Sequence, residues 1–130
     1  MAEIFFRIDF SSGEGFGPGK SALLDAIERA GSISAGARAL GMSYRRAWLL
    51  ADSIARLFHR PVLEIAQGGR TGGGARLTPF GRELVRRYRG MERRIARVTA
   101  VDRATLERLA RPRQHPAGKR ATSRGFAIYR

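Results

Sequence analysis

The sequence predicts a mainly α-helical domain with a small β-sheet, arranged as a winged helix-turn-helix. Apolar residues recur at helical spacing in three consecutive segments between Lys20 and Pro61. Two short strand-like pieces follow, and a glycine-rich stretch separates them as in a long hairpin. A longer helical pattern begins at Thr78 and Pro79, a threonine that can cap a helix and a proline that fits its first turn.

Length and charge narrow the class of protein before any motif is considered. A chain of 130 residues is one small domain by the usual size prior. It carries 25 Lys and Arg against 11 Asp and Glu, a formal charge of +14, so nucleic acid is the leading class of partner. Residues 1–80 hold 10 basic and 7 acidic residues (+3), and residues 81–130 hold 15 and 4 (+11), so the second part is the more electropositive.

Several classes are excluded by what the sequence lacks. With no cysteine there is no disulfide framework and no thiolate metal site, and we expect a cytoplasmic protein. No apolar run approaches the ~20 residues of a membrane span and no cleavage site follows the start, so we expect neither membrane association nor export. His59 and His115 have no partner at ligand or catalytic spacing. We therefore predict that the protein is not an enzyme and needs no cofactor.

The first elements are a strand, a loop and a helix. Aromatic and branched residues alternate with polar ones from Glu3 to Phe10, which predicts a strand. Residues 11–19 are rich in glycine and serine and predict a loop. The first helix is expected from Lys20 to about Ala30, where Gly31 supplies the left-handed residue that ends many helices.

Two further helices form the predicted helix-turn-helix. Ser32 caps the second helix, which Gly41 stops, and Ser43 caps the third, which Pro61 ends. The apolar stripe of the third helix faces the first two helices, and four side chains remain near its N-terminal end where base edges can be reached: Tyr44, Arg45, Arg46 and Trp48. Each of these residues also has an interpretation without DNA. The two aromatic residues could pack in the core, the two arginines could be ordinary solvated surface residues, and the serines could serve only as helix caps.

The wing is the hairpin that follows. Residues 62–65 and 76–78 are strand-like, and residues 67–75 form a tip with five glycines. Arg70 in the tip and Arg76 after it suit contact with the DNA backbone or minor groove. A nucleotide-binding loop is disfavoured because the run lacks a Gly-Lys-Ser/Thr ending and does not open directly into a helix.

The fourth helix predicts an assembly surface. Its apolar residues recur every three or four positions, as in a seam for a second helix, and we predict that they form the dimer interface: Leu84, Tyr88, Met91, Ile95 and Val98. The seven arginines between Arg82 and Arg97 are interpreted as spread around this helix, as a solvated face.

A short further helix is expected from Asp102 through Leu109. Residues 111–130 hold six Lys or Arg and no acid, so we expect a basic, disordered tail.

Several motifs together resemble the DNA-binding head of the ModE family of molybdate-responsive transcriptional regulators, which is related to LysR-type heads. They are Gly31-Ser-Ile-Ser with Gly36-Ala37, Ser43-Tyr44 and Ala47-Trp48, Gly68-Gly69 and Gly72-Gly-Gly-Ala75, then Leu77-Thr78 and Gly81. The resemblance covers roughly residues 3–95. It implies a winged-helix head that dimerises through helices outside the reading helix and binds a twofold-symmetric operator. Full-length members add a molybdate-binding portion, whose Ser-Ala-Arg-Asn signature this sequence lacks, so direct molybdate binding is not expected.

We therefore predict a sequence-specific DNA-binding transcriptional regulator of the ModE type that binds double-stranded DNA as a homodimer. Residues 1–110 are expected to form the DNA-binding domain with its long dimerisation helix. The predicted DNA contacts are Ser32, Ser34, Ser43, Tyr44, Arg45, Arg46, Trp48, Arg70, Thr71, Gly72, Gly73, Gly74 and Arg76. The alternatives are a less specific nucleoid- or RNA-associated protein on the same fold, and an interaction module that responds to an oxyanion held between subunits.

Overall fold

A computed structural model describes residues 1–66 and 73–113. The helices are α1 (Pro18–Ala30), α2 (Ile33–Ala39), α3 (Tyr44–Ala55), α4 (Pro79–Val98) and α5 (Ala100–Leu109). The strands are β1 (Ile8–Asp9), β2 (Gly15–Phe16), β3 (Leu63–Ala66) and β4 (Gly74–Leu77). Strand β1 pairs antiparallel with β2, and β3 pairs antiparallel with β4. The predicted mainly α-helical winged helix-turn-helix is confirmed.

The N-terminal segment is a shorter strand than predicted. Only Ile8 and Asp9 pair with a neighbour, because β2 offers just two residues. The rest of the segment is held by α4 instead: the Phe6 ring stacks on Tyr88 with centroids 4.5 Å apart, and the Tyr88 hydroxyl donates to the Phe6 carbonyl at 2.6 Å. The alternation of apolar and polar residues therefore indicates which side chains face the core, although the segment forms no long run of hydrogen-bonded strand pairs.

The predicted helix boundaries agree with the structure where a capping residue was identified, and differ at the start of α1 and the end of α3. Gly31 ends α1 with φ of 89°, and its N–H donates to the Ile27 carbonyl at 2.8 Å, as predicted. Helix α1 begins at Pro18, two residues early, because proline suits the first turn. Helix α3 ends at Ala55, well before Pro61, since the N–H of Leu57 turns back to the Ile54 carbonyl in a tighter turn.

Two adjoining clusters make up the core. One joins α1, α3, the wing and α4, and the other packs α1 against α2, α3 and the base of β4. Their members are Phe16, Leu24, Ile54, Val62, Leu77, Val85 and Tyr88 in the first, and Leu23, Ile27, Ile33, Ala37, Ala47, Ala51 and Ala75 in the second. Because the second cluster clamps α3 on α1 and α2, the opposite side of α3 is left exposed at the surface.

Tyr88 corrects the predicted dimer seam. Only 1% of its surface is exposed, and its ring also meets Phe16 edge to face at 5.2 Å, so it packs in the core of its own chain. Burial raises the pKa of its hydroxyl, and the nearby Glu92 charge adds to the effect. Leu84 is partly buried against the same cluster. The seam spacing alone did not distinguish packing within the chain from packing between chains.

The arginines of α4 also differ from the prediction, because they do not surround the helix. At about 100° per residue, five of them fall within about 60° of the direction of Gly90: Arg86, Arg87, Arg93, Arg94 and Arg97. The other two flank that side and pair with α1, Arg82 with Glu28 at 3.5 Å and Arg89 with Asp25. We call the five-residue side the arginine face of α4.

Candidate nucleic-acid interface

The N-terminal ends of α2 and α3 are capped as the sequence predicts. The Ser32 hydroxyl accepts from the Ala35 N–H at 3.0 Å, and the Ser43 hydroxyl accepts from the Arg46 N–H at 3.1 Å. Between the helices, Gly41 adopts φ of 69°, which favours glycine and makes a tight turn. The caps and the turn together fix where α3 begins and therefore which of its side chains face outwards.

Close packing of α2 against α1 depends on Gly36. A Cβ at this position would lie 3.0 Å from the backbone nitrogen of Ile27. Any larger residue would push α2 away from α1. The glycine thus positions the helix-turn-helix by allowing the backbones of α1 and α2 to approach each other.

The first two turns of α3 present exposed side chains. Tyr44 is 55% exposed and Trp48 is 45% exposed, so neither aromatic residue is part of the core. Arg45 and Arg46 are exposed, and within residues 1–66 and 73–113 neither makes an ion pair. These cations and aromatic rings have the chemistry that phosphates and base edges require.

The wing is fastened to the end of α1. Strand β4 donates twice to it: the Ala75 N–H to the Gly31 carbonyl, and the Leu77 N–H to the Glu28 carboxylate, both at 2.8 Å. At Gly74 a Cβ would lie 3.3 Å from the Gly31 oxygen, so this glycine serves close packing, and its φ is ordinary. These contacts hold the base of the wing beside the N-terminal end of α2.

A groove runs where α2, α3 and the wing meet, and several predicted contacts line it. Its volume is about 180 Å³, and it is bordered by Ser32, Ile33, Ser34, Tyr44, Ile65, Gly73, Gly74 and Ala75. A neighbouring groove of about 250 Å³ lies between α3 and β3 and contains Trp48 and Ile65. The structure therefore brings Ser32, Ser34, Tyr44, Gly73 and Gly74 together, with Trp48 close by.

The remaining predicted contacts lie outside these grooves. Ser43 caps α3 on the exposed side, next to Arg45 and Arg46. Arg76 donates to the Glu64 carboxylate across the wing at 2.9 Å, so its charge is partly compensated within the chain. The predictions for Arg70, Thr71 and Gly72 lie outside the described residues.

Ile65 is a groove residue that the sequence analysis did not single out. It is 61% exposed and borders both grooves. The signal was present in β3, because residues two apart in a strand share a face and Leu63 lines the same side as Ile65. An exposed isoleucine here offers an apolar contact beside the two aromatic rings of α3.

The described residues contain no grouping of three or more His, Cys, Asp and Glu side chains that could hold a metal ion. Among them there is also no helix long and apolar enough to cross a membrane. The two grooves are lined mainly by hydroxyls, glycines, aromatic rings and aliphatic side chains.

Comparison with known proteins identifies relatives of this chain. Over 87 residues the chain is 44% identical to the molybdenum-pterin-binding protein MopB of Rhodobacter capsulatus, covering 67% of this chain and 32% of that protein. The molybdenum transport protein ModE of Azotobacter vinelandii is also 44% identical, over 67% of this chain and 31% of its own length. The DNA-binding transcriptional dual regulator ModE of Escherichia coli (strain K12) is 37% identical over 88 residues, 68% of this chain and 34% of its own.

The resemblance to the ModE family is confirmed. It extends over the N-terminal two thirds of the chain, the part that contains the helix-turn-helix and the wing. The chain spans about a third of the length of these ModE-type relatives. No family model matches the chain.

Proposed function

We propose that this ModE-type chain is a transcriptional regulator that binds double-stranded DNA, with α3 in the major groove and the wing on the adjacent backbone. The observation that carries the proposal is the exposed first turn of α3, where Tyr44 lines the groove shared with the wing. Arg45 and Arg46 in the same turn are exposed and make no ion pair within residues 1–66 and 73–113. Arginine is the side chain that most often reads a base edge, through paired hydrogen bonds to guanine.

The rest of the groove supplies contacts that position the duplex. The exposed Tyr44 hydroxyl and the Ser34 hydroxyl suit phosphate oxygens, while Trp48 and Ile65 suit the sugar or a thymine methyl. Gly73 and Gly74 have no side chains, so they allow the DNA backbone to approach the wing closely. In this proposal residues 1–110 act as one DNA-binding domain and have no catalytic role.

Enrichment of bound sequences from a random duplex pool tests this proposal. We expect an inverted repeat whose half-sites lie about 34 Å apart, one turn of duplex, or a multiple of it. The alternative, a less specific nucleic-acid-binding protein, is favoured by the charge of +14. A pool that stays random after several rounds would support that alternative and contradict base reading by α3.

The proposed homodimer uses the end of α4 and α5. With Tyr88 in the core, the exposed apolar residues of this region are Val98, Val101, Leu106 and Leu109, each at least 64% exposed. Four large apolar side chains exposed within residues 98–109 are typical of an association surface. Met91 and Ile95 are partly buried and precede Val98 by seven and three residues, so they lie on the same side of α4 as Val98.

Val98→Asp is expected to shift the protein from dimer to monomer at micromolar concentration. Val98 is 75% exposed, so the monomer should keep its thermal stability, while a charge buried between two copies would be costly. Sedimentation at moderate salt measures the change, and Val98→Thr, which keeps the shape, should remain dimeric. A wild-type protein that sediments as a monomer and still binds a single half-site with full affinity would contradict the dimer.

A further inference from the structure

The arginine face of α4 concentrates positive charge in a small area. All five side chains are exposed, and the span from Arg86 to Arg97 is about 17 Å at 1.5 Å per residue. Four of them, with Gly90 and Met91, border a depression of about 420 Å³. Gly90 lies at the centre, beneath guanidinium groups: a Cβ there would be 3.4 Å from one nitrogen of Arg94 and 3.8 Å from one of Arg93.

Within the described residues, this charge is left almost uncompensated. Glu83 lies on the same side and pairs with Arg87 at 2.8 Å, and this contact lowers the pKa of the Glu83 carboxyl. The other four arginines make no ion pair with any of residues 1–66 or 73–113. Like charges three and four residues apart destabilise a helix, so the fold gives no reason for this arrangement.

The position of the face separates it from α3. Helix α4 packs on α1 and β4, and its core-facing residues Val85 and Tyr88 lie on the other side of the helix from Gly90. Arg60, in the segment after α3, lies over the Phe80 ring at 5.5 Å, and its charge also acts on Glu83. Positive charge therefore continues from the N-terminal end of α4 along its outer side.

We propose that the arginine face of α4 is a second DNA-binding surface, which holds backbone phosphates of double-stranded DNA without regard to sequence. Guanidinium groups bind phosphate oxygens in pairs, and every cation of this face is an arginine. Two guanidiniums that lie within 4 Å of one point above Gly90 can bind the same phosphate.

Other occupants fit this surface less well. A second copy of the chain would bring five more arginines against the first five, and like charges repel. Stable binding to a membrane would take an apolar anchor in addition to a cationic patch, and the exposed side chains that define this face are all arginines. The proposal goes beyond the proposed function, because it needs no base reading and uses a different helix.

The test is the salt dependence of binding to a long random-sequence duplex. Each phosphate contact contributes about 0.9 to the slope of log K against log salt, so R86Q/R93Q/R94Q should lower the slope by about two to three. R86K/R93K/R94K keeps the charge and should keep most of the slope. Glu83→Gln frees Arg87 and should change affinity in the opposite direction, strengthening binding at low salt.

Several outcomes would overturn the proposal. An unchanged slope in the glutamine variant would make the face a solvated surface, and a lowered melting temperature in that variant would make it structural. If polyglutamate of equal charge displaced the duplex as well as DNA does, an acidic protein would be the better partner. Selection of an operator by α3 is a separate result, since it can fail while the slope effect remains.

Discussion

Gly81→Ala is expected to destabilise the protein by about 3 kcal/mol, a large share of the roughly 5–15 kcal/mol by which a small domain is stable. A Cβ at this position would lie only 2.3 Å from the backbone oxygen of Val62 and 3.3 Å from the Leu77 Cβ. Real atoms cannot approach so closely, so either α4 or the base of the wing would have to move. Equilibrium unfolding in urea measures the loss.

The Val62 oxygen cannot easily move away. It accepts from the Thr78 N–H at 2.9 Å, and the Thr78 hydroxyl donates to the Pro61 carbonyl at 2.7 Å while accepting from the Gly81 N–H at 2.9 Å. Val62 itself is buried. Threonine and glycine of this motif therefore work as one joint between the wing and α4.

Gly19→Ala is the matched control for this prediction. Gly19 lies in the first turn of α1, and a Cβ there meets no atom within 4 Å. Alanine should raise stability by up to about 1 kcal/mol, because it restricts the unfolded chain and favours helix. Wild-type stability in Gly81→Ala would mean that the wing and α4 are less closely packed than this joint requires.

Local sequence signals predicted the helix-turn-helix and the wing because these features depend on neighbouring residues. Ser32 and Ser43 cap the helices that follow them, and Thr78 with Pro79 opens α4, as expected from the order of residue types. The motif glycines at 31, 36 and 81 proved to have three different roles: a left-handed cap, a helix contact and the wing joint.

The features that the sequence did not predict depend on contacts between distant segments. The Tyr88 hydroxyl bonds to Phe6, 82 positions away, so its spacing on α4 could not show that its partner was the N-terminal segment. The N-terminal strand is short because of the length of β2, which no alternation within residues 3–10 reveals. The arginine face, in contrast, follows from the sequence alone when the helical period of about 100° per residue is applied over the whole of α4.

Arg45→Ala is expected to weaken binding to the selected operator by about 1–3 kcal/mol, and to relax the base preference at one position of each half-site. Arg45 is exposed in the first turn of α3, and the N-terminal residues of a recognition helix are those that contact base edges. Its loss should hardly change folding, since Arg45 is exposed and makes no ion pair within the described residues. Titration of operator and random duplexes at one salt concentration measures both effects.

The ratio of operator affinity to random-duplex affinity distinguishes a base contact of Arg45 from a phosphate contact. Arg111→Ala removes the same charge from the exposed segment after α5 and should lower affinity for operator and random DNA to the same small degree. Arg45→Ala should instead reduce the operator affinity much more than the random one, because only a base contact discriminates between the two duplexes. If both duplexes lost affinity equally, Arg45 would be a phosphate contact, and sequence reading would have to come from other exposed side chains of α3.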